Sequence, residues 1–208
     1  PAWLIFSDGF KKSFTLRFFK RVADLLLSFF MLLLLIPVFF ITAVLIKLDS
    51  KGTVFFSQER VGENNKQYMV HKFRSMAANA EKISGPVWAK DDDPRITRVG
   101  KYIRKLRIDE IPQLLNVLKG EMSFVGPRPE RMYFVKKLEE IIPYYSQRFT
   151  VKPGITGWAQ VRYGYGASVE DAVEKLNYDL FYIKNVSIFM DLIIVLRTVK
   201  IVLFGKGR

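Results

Sequence analysis

The fold class this sequence predicts is α+β and mostly helical, with a small β element and a body seated on a membrane. Three observations carry that expectation. Residues 25–46 read LLLSFFMLLLLIPVFFITAVLI, 22 positions without a charge. At about 1.5 Å per residue such a helix matches the roughly 30 Å of a bilayer core. Downstream, apolar residues recur at helical spacing between Gly- and Pro-containing breaks, and strand-like sequence is confined to a short stretch after the apolar segment. The 208 residues hold no repeat, low-complexity tract or second-domain linker, a length that suits one domain with a membrane element.

Residues 1–24 form a basic, aromatic lead-in with Trp3, Phe6, Phe10, Phe14, Phe18 and Phe19. The chain begins at Pro1 rather than Met, which reads as a fragment or processed form of something longer. The segment 25–46 is too long for a signal peptide and no small-residue cleavage site follows it. Lys11, Lys12, Arg17, Lys20 and Arg21 precede it, and Lys47, Lys51, Arg60 and Lys66 follow. Both flanks are basic, so the positive-inside rule gives no direction. Pro37 removes a backbone donor near the middle and kinks an interior helix; Ser28 and Thr42 can satisfy the freed carbonyls. A Pro-broken, re-entrant helix that enters and leaves by one face is favoured over a kinked span, and it makes the protein monotopic.

Residues 47–208 read as one further unit. Thr53–Gln58 is a short strand that pairs with Tyr68–Phe73 across a Gly62–Lys66 turn. Met76–Lys82 reads as helix ending at Gly85-Pro86, and Asp91–Asp93 before Pro94 as a turn. Gly100–Leu106 and Ile111–Leu118 are helices, the second with Pro112 in its first turn and Gly120 past its end. Phe124–Glu130 (FVGPRPE) reads as a rigid loop, Arg131–Ile142 as a helix stopped by Pro143, and Val151–Val161 as a Gly/Pro loop. Val169–Asn185 is helical. Ile188–Phe204 is an almost wholly apolar helix with basic residues towards its end, which fits either an interfacial helix or a core-packed amphipathic one.

The chain carries 33 Lys+Arg against 20 Asp+Glu, a formal charge of +13. That excess fits nucleic acid, or anionic lipid and phosphorylated substrates. The absence of Cys excludes disulfides, thiolate catalysis and Cys-based zinc sites. A single histidine, His71, rules out multi-His metal centres.

Chemistry in such a chain falls first to carboxylates. Asp109 and Glu110 stand among Arg104, Lys105 and Arg107, just before Pro112. Neighbours on a helix diverge by about 100°, so both reach one ligand only at a helix start. A carboxylate there can attack phosphorus, and its neighbour can hold a hard Mg²⁺. Read alone, an N-cap Asp109 with Glu110 as a first-turn dipole partner is the simpler account. Lys72 and Arg74 alternate along a strand and project from one face as candidate phosphate ligands. Arg128 is fixed between Pro127 and Pro129, which reduces the entropy lost on aiming a guanidinium. Lys152–Gln160 packs two glycines, a proline and Trp158 into nine residues, a loop that approaches ligands with bare backbone or forms a tight turn on a core tryptophan.

The order of these motifs is more specific than any one of them. QERVG (58–62), HKFRSM (71–76), DPRITRVGKYIRKLRIDEIPQLLNVLKGEMSFVGPRPE (93–130), VKPGITGWAQV (151–161) and YDLFYIKN (178–185) follow an apolar helix interrupted at Pro37. Together they resemble the bacterial sugar transferase family, the monotopic phosphoglycosyl transferases, over essentially everything after Arg17. The lead-in and GYGASVEDAVEKLNYDL resemble the larger exopolysaccharide-priming members. The resemblance implies transfer of a sugar-1-phosphate from a UDP-sugar to polyprenyl (undecaprenyl) phosphate with release of UMP, at the cytoplasmic face of the bacterial inner membrane. It implies Asp109 as the nucleophile of a covalent phosphosugar intermediate and Glu110 as its partner, the two holding Mg²⁺. It implies Lys72, Arg104 and Arg128 at substrate phosphates; Arg74 is expected beside them from its alternation with Lys72, and Trp158, Gln160 and Arg162 are the residues expected at the nucleotide or sugar. Membrane lipids are the expected surroundings and a homo-oligomer is compatible; nucleic acid is not an expected partner. Ser75 keeps a hydroxyl where the family often has Thr, Arg107 and Ile108 stand where Ser or Thr and Leu are common, and Glu121 replaces a frequent Asp. Two other readings stay open: a nucleic-acid-binding module, which leaves 25–46 unexplained, and a non-catalytic membrane scaffold, which requires Asp109 and Glu110 to be dispensable.

Overall fold

The computed structural model describes residues 13–77, 80, 93–164, 166 and 168–204. The start of the lead-in, including Trp3, Phe6 and Phe10, lies outside them, as does most of the helix expected over 76–82 with its Gly85-Pro86 stop. Helix α1 runs Phe14–Asp49, 36 residues, with the Ser13 side chain accepting from Leu16 N at its start. Its mean hydropathy reaches 3.0 over its most apolar stretch, little of which other residues cover. By length and composition it is able to cross a membrane. The helical hydrogen-bonded path continues through Pro37, so the expected break into two helices is not a change of secondary structure. A proline costs a helix one donor and a carbonyl clash, which a bend absorbs without ending the helix.

Polar residues tie both ends of α1 to the rest of the molecule. Near its start, Lys20 donates to Val125 O and to Asp191, Arg21 donates to Val117 O and Leu118 O, and Asp24 accepts from Phe124 N. At its end, Asp49 accepts from Val99 N, and Arg74 donates to Ser50 O and Lys51 O. Ile46 is buried there with Phe73 and Ile103.

Strands β1 (Phe55–Val61) and β2 (Gln67–Phe73) form the expected antiparallel hairpin, with Phe55 opposite Phe73 and Phe56 opposite Lys72. Helix α2 (Arg98–Lys105) begins where Thr97 caps Gly100 N, slightly before the expected start. Helix α3 (Gln113–Lys119) follows Pro112 and ends on Gly120 at φ 87°, a left-handed stop that glycine makes at no steric cost. The segment expected as a bare FVGPRPE loop opens with strand β3 (Ser123–Val125). It pairs in parallel with β4 (Gly154–Thr156), inside what was expected to be a loop. Three-residue strands have no alternation long enough to read from sequence.

Helices α4 (Met132–Ile141), α5 (Trp158–Arg162), α6 (Val169–Lys184) and α7 (Ile188–Leu203) follow, with a 3₁₀ segment Tyr145–Thr150 between α4 and β4. The main core joins Val125 of β3 to Val135 and Leu138 of α4, Leu180 and Ile183 of α6, and Ile194 of α7. Helix α7 buries Ile194 but leaves Ile188, Phe189, Leu192, Leu196 and Val199 exposed. It is therefore packed on one side and exposes an apolar surface on the other.

Candidate active site

Asp109 and Glu110 occupy a single 3₁₀ turn, Ile108–Glu110, between α2 and α3. Arg107 sets up that turn with φ 54°, a left-handed conformation few side chains adopt. Pro112 starts the next helix and so presses the two carboxylates into one short turn, as the sequence suggested. Asn116 fixes this unit to the hairpin: its Nδ2 donates to Met69 O at 2.7 Å and its Oδ1 accepts from His71 N at 3.2 Å. Lys72, the next residue on β2, is thereby brought over the turn.

The two carboxylates have opposite surroundings. Glu110 is 5% exposed and meets three cations: Lys72 Nζ at 2.9 Å and Arg128 Nη2 at 2.7 Å on one oxygen, Arg107 Nη1 at 3.4 Å on the other. Burial alone would raise its pKa, but Arg128, Lys72 and Arg107 outweigh burial and hold it well below the usual carboxylate range. Asp109 is 9% exposed and accepts no hydrogen bond from the described residues. Burial first, and then the neighbouring Glu110 charge, push its pKa up to about 6 against the pull of Lys72, Arg104 and Arg128. A carboxylate with free lone pairs, poorly solvated and set beside cations, has the makings of a nucleophile.

Arg128 is held by its loop. Pro127 O accepts from Gly154 N, Arg128 O from Arg148 Nη2, Pro129 O from Arg60 Nη1 and Glu130 O from Val61 N, so all four carbonyls are taken. The backbones meet at glycines: a Cβ on Gly154 would lie 2.1 Å from Gly126 N, and one on Gly157 2.2 Å from Gly126 O. Arg148 is itself buried and pairs with buried Asp179 at 3.0 Å. Arg60, Arg148 and Asp179 were not foreseen. Arg60 and Asp179 fall inside the QERVG and YDLFYIKN motifs and Arg148 is a charge in a largely apolar stretch, but none of these signals says which pairs will meet.

Asp109, Glu110, Lys72, Arg104, Arg107 and Arg128 line one cavity of about 680 Å³. Gln160 and Arg162 line it too; the amide of Gln160 donates to Ile155 O while its buried Oε1 has no partner among the described residues. Two expected residues are placed differently. Arg74 borders the cavity, but its guanidinium donates to Ser50 O, Ser50 Oγ and Lys51 O. It is spent on the negative end of α1, because the strand stops at Phe73 and no longer holds it in register with Lys72. Trp158 stacks near Phe181 and lies under the guanidinium groups of Arg162 and Arg197, at 4.9 and 5.6 Å. Its ring locks α5 to α6 and α7 and does not border the cavity.

The profile of the bacterial sugar transferase family matches residues 15–205. A UDP-N-acetylgalactosamine-undecaprenyl-phosphate N-acetylgalactosaminephosphotransferase of Aeromonas hydrophila is 50% identical over 190 residues, 91% of this chain and 45% of that protein. An undecaprenyl-phosphate glucose phosphotransferase of Komagataeibacter xylinus is 43% identical over 90% of this chain and 36% of its own length. The exopolysaccharide production protein PSS of Rhizobium leguminosarum bv. phaseoli is 44% identical, with 90% of this chain and 97% of the relative covered. The chain thus spans less than half of the first two relatives and nearly all of the third. With a family match over almost its whole length, the chain belongs to the bacterial sugar transferase family.

Proposed function

We propose that this chain is the catalytic unit of a phosphoglycosyl transferase that moves a sugar-1-phosphate from a UDP-sugar to polyprenyl phosphate and releases UMP. The observation that carries the reading is the unlike pair lining the cavity: Asp109 with no hydrogen-bond partner among the described residues, Glu110 saturated by Lys72, Arg107 and Arg128. An Asp109 oxygen attacks the phosphorus that bears the sugar. The new bond is Asp–O–P, the bond to the bridging oxygen breaks, and UMP leaves with that electron pair. A phosphate oxygen of the acceptor then attacks the same phosphorus, the Asp–O–P bond breaks, and the carboxylate is restored with a polyprenyl diphosphate sugar as product. Arg128, Lys72 and Arg104 line the cavity where the phosphate charge develops, and electrostatic stabilisation of that kind is the largest expected contribution.

Magnesium fits this arrangement. The ion takes one or two carboxylates plus substrate phosphate oxygens and keeps its remaining waters, and Asp109 offers buried oxygens that no described donor uses. Asp109 would hold it together with substrate phosphate oxygens, Glu110 being occupied by its three cations, and its chemistry would be to neutralise the charge that develops on the departing UMP.

The seating of the chain on one membrane face belongs to the same proposal. A straight α1 would be about 54 Å long and would carry Lys20–Asp24 and Asp49 to opposite sides of a bilayer. Both are instead hydrogen-bonded to one packed body. A bend at Pro37 that returns α1 to its entry face, the cytoplasmic one where UDP-sugars are made, satisfies both ties. Lys47 and Lys51 in sealed inverted vesicles should react with an impermeant amine reagent from outside only; labelling from the lumenal side alone would refute that topology.

The activity is tested by purified protein with Mg²⁺, polyprenyl phosphate and a series of UDP-sugars. The expected result is UMP release with at least one donor, a smaller burst of UMP from that donor without acceptor, and loss of both on chelation. No release with any donor overturns the assignment.

A further inference from the structure

The cavity that holds Asp109 has an apolar side that chemistry at phosphorus does not require. In the β1–β2 ladder Phe56 stands opposite Lys72 and Phe55 opposite Phe73, and opposed residues of an antiparallel pair project to the same face. Phe56 is therefore the immediate neighbour of the lysine that touches Glu110. On the other face Phe55 stacks on Phe73 with centroids 5.5 Å apart. Phe39 of α1, just beyond Pro37, lies 4.7 Å from Phe73 and 5.6 Å from Phe55. Phe73 is buried, whereas Phe55 and Phe56 remain 45% and 39% exposed, and all three border the cavity.

The two faces meet the same cavity: Phe56 borders it beside the cationic Lys72, and Phe55 and Phe73 border it on the side that packs on Phe39 of the apolar helix. Packing of the hairpin accounts for Phe73, and in part for Phe55. It does not account for Phe56, an exposed apolar ring set against the charged chamber. The surface suits an amphiphile whose anionic head is held by the cations while its first carbons lie along the rings. An apolar chain that continues towards α1 then stays out of water.

We propose that Phe55 and Phe56 form a subsite for the first isoprene units of a polyprenyl phosphate, orienting its phosphate towards Asp109. This inference rests on the acceptor assigned above. It deepens that assignment by predicting that recognition reads the proximal prenyl chain as well as the phosphate. Charge complementarity at Lys72 and continuity with the exposed apolar surface of α1 select this occupant over a soluble sugar or peptide. The alternative role for the two rings is to seat the hairpin in the bilayer without touching the acceptor.

The test compares wild type, Phe55→Ser and Phe56→Ser in detergent, using water-soluble prenyl phosphates of one, two and three isoprene units. UMP release without acceptor is measured alongside, since a folding defect lowers it as well. In the wild type, acceptor KM should fall as the chain grows from one to two units. Phe56→Ser should raise the KM for the two-unit acceptor about tenfold, the equivalent of losing one well-buried apolar contact, and by more than any change in acceptor-free release. Two results overturn the subsite: a wild-type KM independent of prenyl length, or serine variants with the wild-type KM for soluble acceptors. The second result would leave the rings with bilayer seating alone. A wild type that transfers to none of these acceptors or to full-length polyprenyl phosphate, and yields no UMP, sinks the activity assignment and the subsite with it.

Discussion

Asp109→Asn should abolish transfer while leaving the protein folded and more heat-resistant than the wild type near neutral pH. The amide keeps the shape of the side chain but cannot form the Asp–O–P bond. Turnover should therefore drop by at least about 10³-fold, since no other group can take the nucleophile's place. Intact-protein mass spectrometry after incubation with the donor should find a phosphosugar adduct on the wild type and none on the variant. An adduct of equal yield on the variant would remove Asp109 from the role. The stability gain follows from linkage. The folded-state pKa of Asp109 is raised from 3.8 to about 6, so its charged form is the costly one. That cost is absent below the ordinary carboxylate range and fully present above about pH 6, and the amide removes it. The increase in Tm should accordingly be clear at pH 8 and vanish near pH 4. The same titration shapes the rate: acceptor-free UMP release should fall about tenfold for each pH unit well below 6, as the nucleophile takes up a proton.

Several parts of this molecule were legible in its sequence because one local signal decided them. The apolar run 25–46, the Gly120 stop and the alternation on either side of Gly62 each act within a few residues, and the elements they mark are present. The pairing of Asp109 with Glu110 on one turn was readable from Pro112. What Arg74 and Trp158 touch was not readable. Arg74 lies one residue past the end of β2, and whether it follows Lys72 into the cavity or turns back to Ser50 is set by where α1 ends in space. Trp158 is claimed from both sides by Arg162 and by Arg197, the latter 39 positions away on another helix. Strands β3 and β4 depend on backbone contact between Gly126, Gly154 and Gly157. Glycine spacing suggests a tight approach but does not name the partner. Local chemistry is written locally, while commitment of a long cationic side chain to one anion among several is a tertiary decision.

Glu110→Gln should do the reverse of Asp109→Asn in stability while also lowering activity, and that contrast is the sharpest consequence of the two environments. Lys72, Arg107 and Arg128 converge on this one carboxylate. An amide leaves three cations facing each other with their common counter-charge removed. Taking one partner from a buried ion pair costs about 3–5 kcal/mol, and the partial exposure of Lys72, Arg107 and Arg128 argues for the lower end. The pKa of Glu110 is held well below the ordinary range, so its stabilisation is present above the unfolded-state value and lost as pH falls through the folded one. The fall in Tm should therefore be large at pH 7 and shrink in acid, the mirror image of the Asp109 variant. In catalysis Arg128 and Lys72 lose their anchor, and turnover should fall about 10²-fold through misplaced phosphate contacts. The acid limb should move at the same time. Glu110 is the main charge that raises Asp109, so in Glu110→Gln the acceptor-free UMP release that remains should persist to lower pH than in the wild type. A merely structural glutamate would lower Tm without moving that limb. Only a glutamate that sets the charge of the nucleophile beside it moves both.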